Sequence, residues 1–139
     1  MITRLSHASV YVLDQDSAKT FYTEKLGFEV RNDTELGGLR WLTVGPKSQP
    51  DLEMILAYPA PPMFDEETGA TIRGLVAKGS LGAGVLATDD CHATYEELKA
   101  KGVEFIQEPV DRFGTVDAGF RDPSGNGWKL LQARTGGQP

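Results

Sequence analysis

Two stretches of the chain decide its fold: LSHASVYVLDQDSAKTFYTEKLGFEV at residues 5–30 and LGAGVLATDDCHATYEELKAKGVEF at residues 81–105. When Asp14 is aligned with Asp90, both stretches present an apolar strand, an acidic turn and a helix. One residue of slippage then aligns Gly27 with Gly102, so both helices end at a glycine. Self-similarity over this length indicates an internal repeat.

The first copy predicts a strand followed by a short helix. Residues 5–13 alternate with a period of two, which places small apolar side chains on one face and polar or aromatic ones such as His7 and Tyr11 on the other. Helical spacing of apolar residues then predicts a helix over residues 17–26. Gly27 ends this helix because glycine adopts the left-handed conformation without strain.

The second copy predicts the same order of elements. A helix over residues 92–101 begins after Asp90 and ends at Gly102. Strand candidates follow the two helices at residues 28–32, 39–44 and 52–58 in the first half and at 103–107, 116–121 and 127–132 in the second. We therefore expect a single domain over residues 1–139, with repeat one at about 3–58, a long connector at about 59–81 and repeat two at about 82–133.

Composition restricts the class of protein and its partners. The 139 residues are enough for a hydrophobic core without disulfides or a structural metal. Twenty acidic against fourteen basic residues give a net charge of -6, which disfavours nucleic acid and anionic membrane as partners. Because the sequence contains no long apolar run and only one cysteine, Cys91, we expect a cytoplasmic protein.

Three motifs together resemble the vicinal oxygen chelate superfamily, which contains glyoxalase I, bleomycin-resistance proteins and extradiol dioxygenases. They are FYTEKLGFEV at residues 21–30, GVEFIQEP at 102–109 and FRDPSGNGWKLLQ at 120–132. The resemblance extends over roughly residues 3–133. It implies an α+β fold in which two βαβββ repeats form sheets that curl around a shared cavity. It also implies a homodimer.

The resemblance further implies a metal ligand on the first and last strands of each half. The corresponding positions are His7, Glu53, Ala83 and Lys129. His7 and Glu53 carry ligand groups, and Glu53 would also be the catalytic carboxylate. Ala83 offers no donor and a lysine ammonium repels a cation, so the expected cofactor is a weakly held divalent ion of unknown identity or none. Ordinary glyoxalase I activity is not expected.

The candidate residues each have a structural alternative. Lys129 would either form an ion pair with Glu53, which fills the position of the metal, or receive a carboxylate or phenolate of a ligand. His7 would be either a ligand or a hydrogen-bonded strand residue. Tyr11, Trp41 and Phe113 are candidates for binding a substrate, although a core of this size also needs large side chains.

Two hypotheses for function follow. The first is a lyase, isomerase or dioxygenase that uses His7 and Glu53 on a small organic substrate oriented by Lys129. The second is a protein that binds and sequesters a drug or metabolite without chemistry, as the bleomycin-binding relatives do. A small-molecule ligand is common to both.

Overall fold

The computed structural model describes residues 1–134, which form two four-stranded sheets with helices packed on them. The strands are β1 His7–Tyr11, β2 Glu29–Leu36, β3 Leu39–Gly45, β4 Glu53–Ala57, β5 Gly82–Ala87, β6 Glu104–Arg112, β7 Thr115–Arg121 and β8 Gly127–Gln132. The helices are α1 Gln15–Thr20, which continues as a π-helical turn over Phe21–Lys25, α2 Glu66–Ala77 and α3 Cys91–Ala100.

The two sheets have the same topology, which confirms the predicted pair of repeats. The strand order is β1-β4-β3-β2 in the first sheet and β5-β8-β7-β6 in the second. In each sheet the first strand pairs in parallel with the last strand of its repeat, and the remaining pairs are antiparallel. The fold is therefore α+β, and the two sheets do not join into a closed barrel.

The two predicted helices begin within two residues of the expected positions, and the first differs from the prediction in type. Asp14 accepts a hydrogen bond from Ser17 N, and Asp90 accepts one from Ala93 N, as N-terminal caps do. The first helix was expected over residues 17–26; instead, α1 ends at Thr20 and a π-helical turn follows. In this turn Leu26 N donates to Phe21 O, five residues back, and Gly27 has a φ of 76°.

The connector differs from the prediction. We expected a long connection over residues 59–81, whereas the structure contains the twelve-residue helix α2. Asp65 caps its start by accepting from Thr68 N, and Val76 near its end is fully buried. The sequence did not predict α2 because Pro59, Pro61 and Pro62 all precede it and the glycines within it lower helix propensity.

The core lies between the helices and one face of each sheet. In β1, β3, β4, β7 and β8 this face carries the even-numbered residues. Leu42, Val44 and Leu56 of the first sheet are fully buried, as is Phe120 of the second. The ring of Phe21 lies 6.4 Å from the ring of Phe120, so the end of the first helix packs on the second sheet. The opposite face of each sheet points away from the helices. No helix within residues 1–134 combines the length and apolarity needed to cross a membrane.

A buried polar network joins the repeats around Asp122. Its Oδ1 accepts hydrogen bonds from three backbone amides, those of Ser124 (3.0 Å), Gly125 (3.0 Å) and Asn126 (2.9 Å). Its Oδ2 accepts from the Tyr22 hydroxyl at 2.7 Å. Burial, and then the charge of Asp122, raise the pKa of Tyr22, so the phenol remains a donor. A turn of the second repeat is thereby fixed to a helix of the first.

Candidate functional site

A groove of about 690 Å³ lies on the face of the second sheet that points away from the helices. Glycines form much of its floor, and Val85, Ile106 and Lys129 are among the side chains around them. At Gly127 a Cβ atom would meet nothing within 4 Å, whereas at Gly119 it would meet Ile106 and Gln107 at ordinary contact distances. The floor is therefore flat, open backbone beside apolar side chains, which is the composition typical of small-molecule sites.

Asp117 organises the polar side of this groove. Its Oδ1 accepts from Gln107 Nε2 at 2.8 Å and from Lys129 Nζ at 3.1 Å. Its Oδ2 accepts from Arg112 Nε at 2.8 Å, and Lys129 Nζ also donates to Gln107 Oε1 at 3.0 Å. Asp117 is buried, while the side chains of Lys129 and Arg112 are 41% and 56% exposed. Two cations share one anion, so the network leaves positive charge at the edge of the groove.

These partners stabilise the ionised form of Asp117. The Gln107 amide, followed by the Lys129 and Arg112 cations, lowers the pKa of Asp117 from 3.8 to about 2. Arg40 and Lys19 likewise lower the pKa of Asp33 on the first sheet. A carboxylate with a lowered pKa stabilises the fold above its ordinary pKa, and that stabilisation is lost as the pH falls toward the folded value.

We therefore expect the free energy of unfolding to decrease as the pH falls from about 4 to about 2, and Asp117→Asn to reduce this slope. Asp33 retains its own contribution, so part of the slope remains. Urea titrations of both proteins at several pH values measure it. Equal slopes in the two proteins would show that the network around Asp117 does not depend on its charge.

A second polar cluster lies on the outward face of the first sheet. His7 Nε2 is 3.3 Å from Glu53 Oε2, because His7 and Glu53 are direct partners across the parallel pair of β1 and β4. Glu53 Oε1 accepts from the Thr43 hydroxyl at 2.7 Å. The ring of Trp41 lies 6.1 Å from that of His7. The sequence thus identified three residues that do come together: His7, Glu53 and Trp41.

The other predicted residues are placed elsewhere. Of the two alternatives for Lys129, the ion pair with Glu53 is wrong, because Glu53 contacts His7 while Lys129 contacts Asp117 on the other sheet. The ring of Tyr11 packs against that of Phe64, which precedes α2, at a centroid distance of 5.7 Å. Phe113 lies at the tip of the β6–β7 hairpin, 95% exposed, and lines no part of the groove within one chain.

Gln107, Arg112 and Asp117 were not predicted from the sequence as site residues. On a regular sheet, alternation along β7 and β6, the strands next to Lys129, would have placed these residues on the same face as Lys129. The pairing of β6 with β7 shifts register on both sides of Gln107, which breaks that alternation. Asp117 carried no signal of its own, because an acidic residue between Val116 and Ala118 is compatible with either face of a strand.

Comparison with known proteins identifies the family. The family model described as the Glyoxalase/Bleomycin resistance protein/Dioxygenase superfamily matches residues 4–130. The chain belongs to this superfamily. The resemblance to vicinal oxygen chelate proteins is thereby confirmed.

Several members of the superfamily are similar over nearly the whole chain. The crystal structure of UcmS2 is 58% identical, with a TM-score of 0.91, and the match covers 96% of this chain and 100% of that one. TnmS3, an antibiotic binding protein from Streptomyces sp. CB03234, is 34% identical with a TM-score of 0.75, and covers 94% and 96% of the two chains. The uncharacterized protein YetH of Bacillus subtilis (strain 168) is 35% identical over 95% of this chain and all of its own length.

Members of this superfamily often bind divalent metals, but the residues of this chain do not fit such an ion. Across residues 1–134, no group of three or more His, Cys, Asp or Glu side chains is placed to hold one. His7 and Glu53 supply two donors, and they contact each other. Zinc sites in proteins, for example, use at least three protein ligands.

The register of the strands explains why repeat two adds no donor. Ile55 pairs with Ser9 and Thr43, just as Lys129 pairs with Val85 and Gly119. Lys129 therefore occupies the place of Ile55 and not that of Glu53. The place of Glu53 falls two residues earlier, at Gly127, which has no side chain.

Proposed function

We propose that this superfamily member binds a small organic molecule in the groove of the second sheet and holds it without chemical change. One observation carries the proposal: an open apolar floor lies directly beside a preformed network with surplus positive charge. Apolar surface supplies affinity, and a few fixed polar groups orient the ligand.

The shape and charge of the groove support a particular class of ligand. A floor built on Gly119 and Gly127 admits a flat ring system close to the backbone. Lys129 lines the groove and would donate to an acceptor oxygen of that molecule, such as a phenolate, a carboxylate or a carbonyl. Arg112 does not line the groove and adds positive charge through the Asp117 that it shares with Lys129. We therefore propose a planar, mostly apolar molecule with at least one acceptor oxygen at its edge.

Similarity to TnmS3 supports sequestration as the biological role. That protein is described as antibiotic binding, and it is 34% identical over almost the whole chain. We propose that the present protein likewise binds an antibiotic or a related metabolite. A cytoplasmic location, consistent with the single free thiol of Cys91, would place it where such a molecule must be kept from its target.

Metal-dependent lyase, isomerase or dioxygenase chemistry is not part of the proposal. His7 and Glu53 contribute only two donors, and the matching positions in repeat two, Ala83 and Gly127, contribute none. Glu53 is instead engaged by His7 and Thr43. We therefore propose that His7 and Glu53 contact a ligand and do not take part in metal-assisted proton transfer.

We further propose that the protein is a homodimer in which a second copy covers the open sheet faces. Val85 and Ile106 are 60% and 54% exposed, and they line the groove. Exposed apolar side chains grouped on one face indicate an interaction surface. Analytical ultracentrifugation should give twice the 15.1 kDa mass of the chain. A single species at the mass of one chain, at every concentration tested, would contradict a dimer.

The proposed ligand contact of Lys129 is tested by titration with the fluorescent dye anilinonaphthalene sulfonate, which combines aromatic rings with an anionic acceptor. Lys129→Met removes the charge but keeps most of the side-chain length. We expect it to raise the dissociation constant about tenfold, the loss of one charge-assisted hydrogen bond.

Lys47→Met is the matched control, since Lys47 is exposed in the turn between β3 and β4 and does not line the groove. It should bind the dye as the unmodified protein does. An unchanged dissociation constant in Lys129→Met, or an equal loss in both variants, would overturn the role of Lys129.

A further inference from the structure

A second pocket, of about 250 Å³, lies on the opposite side of the second sheet, where the end of the first helix meets α3. Its apolar lining includes Leu26 and Phe28 from repeat one and Leu86 and Leu98 from repeat two. Lys25 and Lys101 also line it. We call this pocket, defined by these six residues, the helix-side crevice.

The crevice exposes apolar surface that the fold does not cover. Leu26, Phe28 and Leu86 pack against the hydrophobic core but remain only partly buried. All three converge on the same small volume, whereas fully buried Phe120 and Leu130 close its floor. Clustered apolar side chains that are only partly buried favour an apolar ligand, because the ligand removes more of their surface from water.

The π-helical turn shapes one wall of the crevice. Leu26 N reaches back five residues to Phe21 O at 3.2 Å, and Phe28 N donates to Tyr22 O at 2.9 Å. This wider turn places Lys25 and Leu26 against the second repeat. Single π-helical turns interrupt α-helices at a cost and occur frequently at functional sites.

Two lysines from different repeats meet beside the crevice. Lys101 Nζ lies 3.5 Å from the backbone oxygen of Lys25. Lys25 Nζ lies 3.5 Å from the position that a Cβ would take at Gly102, so each ammonium reaches toward the other repeat. Lys101 forms an ion pair with Glu97 at 3.9 Å, and Glu97 also lines the crevice. No ion pair of Lys25 is present within residues 1–134, so two cations and one carboxylate leave one positive charge at this point.

We propose that the helix-side crevice binds a small amphipathic monocarboxylate, with its apolar tail among Leu26, Phe28 and Leu86 and its carboxylate between Lys25 and Lys101. The volume suits a short aliphatic or aryl chain, since drug-sized ligands occupy about 300–1,000 Å³. A carboxylate complements two ammonium groups that have one carboxylate partner, Glu97, between them.

This site is distinct from the groove, although both use the same strands. Side chains alternate across a sheet, so Leu86 and Phe120 face the crevice while Val85 and Gly119 face the groove. One thickness of sheet separates the two ligands. The crevice proposal does not depend on what the groove binds.

The test is a titration of the isotope-labelled full chain with sodium octanoate, followed by amide NMR. We expect saturable shifts at residues 26–28, 86–88 and 97–101, and weaker binding of octanol, which has the same tail without the charge. In the double variant Lys25→Met, Lys101→Met the dissociation constant for octanoate should rise about tenfold. Lys47→Met, which removes an exposed lysine outside the crevice, should leave it unchanged.

Three outcomes would overturn the proposal. They are saturable shifts confined to groove residues 82–85, 119 and 127–129, equal affinity for octanol and octanoate, or an unchanged affinity in the double variant. The spectra of each variant without ligand report whether the fold is intact. If the double variant does not fold, the single variants Lys25→Met and Lys101→Met carry the same expectation, with a smaller loss in each.

Discussion

Replacing Gly127 with leucine is expected to abolish ligand binding in the groove while leaving the fold intact. A Cβ at this position would meet nothing within 4 Å, so the added side chain enters open space over the floor of the groove. Gly127 lies in strand β8 without a positive φ, so an L-residue is accepted there without backbone strain. The leucine would occupy the position of the ligand ring. We expect the dissociation constant for anilinonaphthalene sulfonate to rise by about 50-fold or more, equivalent to about 2 kcal/mol.

Gly74→Leu is the matched control. A Cβ at Gly74 also meets nothing within 4 Å, but this residue is exposed on α2, outside the groove. The control should bind the dye normally. Sedimentation of both variants shows whether Gly127→Leu also changes assembly. If Gly127→Leu binds as tightly as Gly74→Leu, the ligand does not lie on the groove floor.

Replacing Asp122 with alanine is expected to cost about 3–5 kcal/mol of stability, as breaking a buried charged network does. The substitution leaves three backbone amides and the Tyr22 hydroxyl without their acceptor. The neighbours of Asp122 also join the repeats: Asn126 Nδ2 donates to Tyr11 O at 2.7 Å, and Leu13 N donates to Ser124 Oγ at 2.8 Å. Because small domains have only about 5–15 kcal/mol of stability, this loss is a large part of the total.

Urea unfolding measures the free energy of unfolding lost in Asp122→Ala, at the junction between the repeats, and in Asp111→Ala, at an ordinary turn. Asp111 also accepts from a backbone amide, that of Gly114 at 3.2 Å, but it does so at an exposed hairpin. Its loss should cost less than about 1 kcal/mol. Equal losses would mean that the Asp122 network does not join the repeats. If Asp122→Ala does not fold at all, Tyr22→Phe removes one donor and should show a partial loss.

The fold was predictable from sequence because its local signals agree with one another. Asp14 and Asp90 cap the two matched helices, and Gly27 and Gly102 end them with positive φ. The helix in the connector was not predicted, since the prolines before α2 and the glycines within it are typical of a loop. The π-helical turn over residues 21–25 was not predicted, since the apolar spacing there is also that of an ordinary α-helix.

The candidate site was predictable only in part, and strand register is the reason. His7 and Glu53 are partners because β1 and β4 pair without a bulge. In repeat two Lys129 pairs with Val85, the counterpart of Ser9, and not with Ala83, the counterpart of His7. The pairing of β6 with β7 also shifts register on both sides of Gln107. A single shift in register changes which side chains share a face, and no count of residues along the chain reveals it.

The groove and the first-sheet cluster give the two repeats different chemical roles. Repeat one carries His7 and Glu53, which contact each other, and Glu53 also accepts a hydrogen bond from Thr43. Repeat two carries glycines on the floor of the groove, together with a cationic network anchored on Asp117. This difference between the repeats is why we propose that a flat ligand with an acceptor oxygen binds to repeat two.

The most direct test of the account is to map where anilinonaphthalene sulfonate binds on the unmodified, isotope-labelled protein by amide NMR. Binding in the groove predicts the largest saturable shifts at residues 82–85, 106–107, 119 and 127–129, around the floor and Lys129. Saturable binding that leaves those amides unmoved would contradict the proposed function, wherever else on the protein the shifts appear.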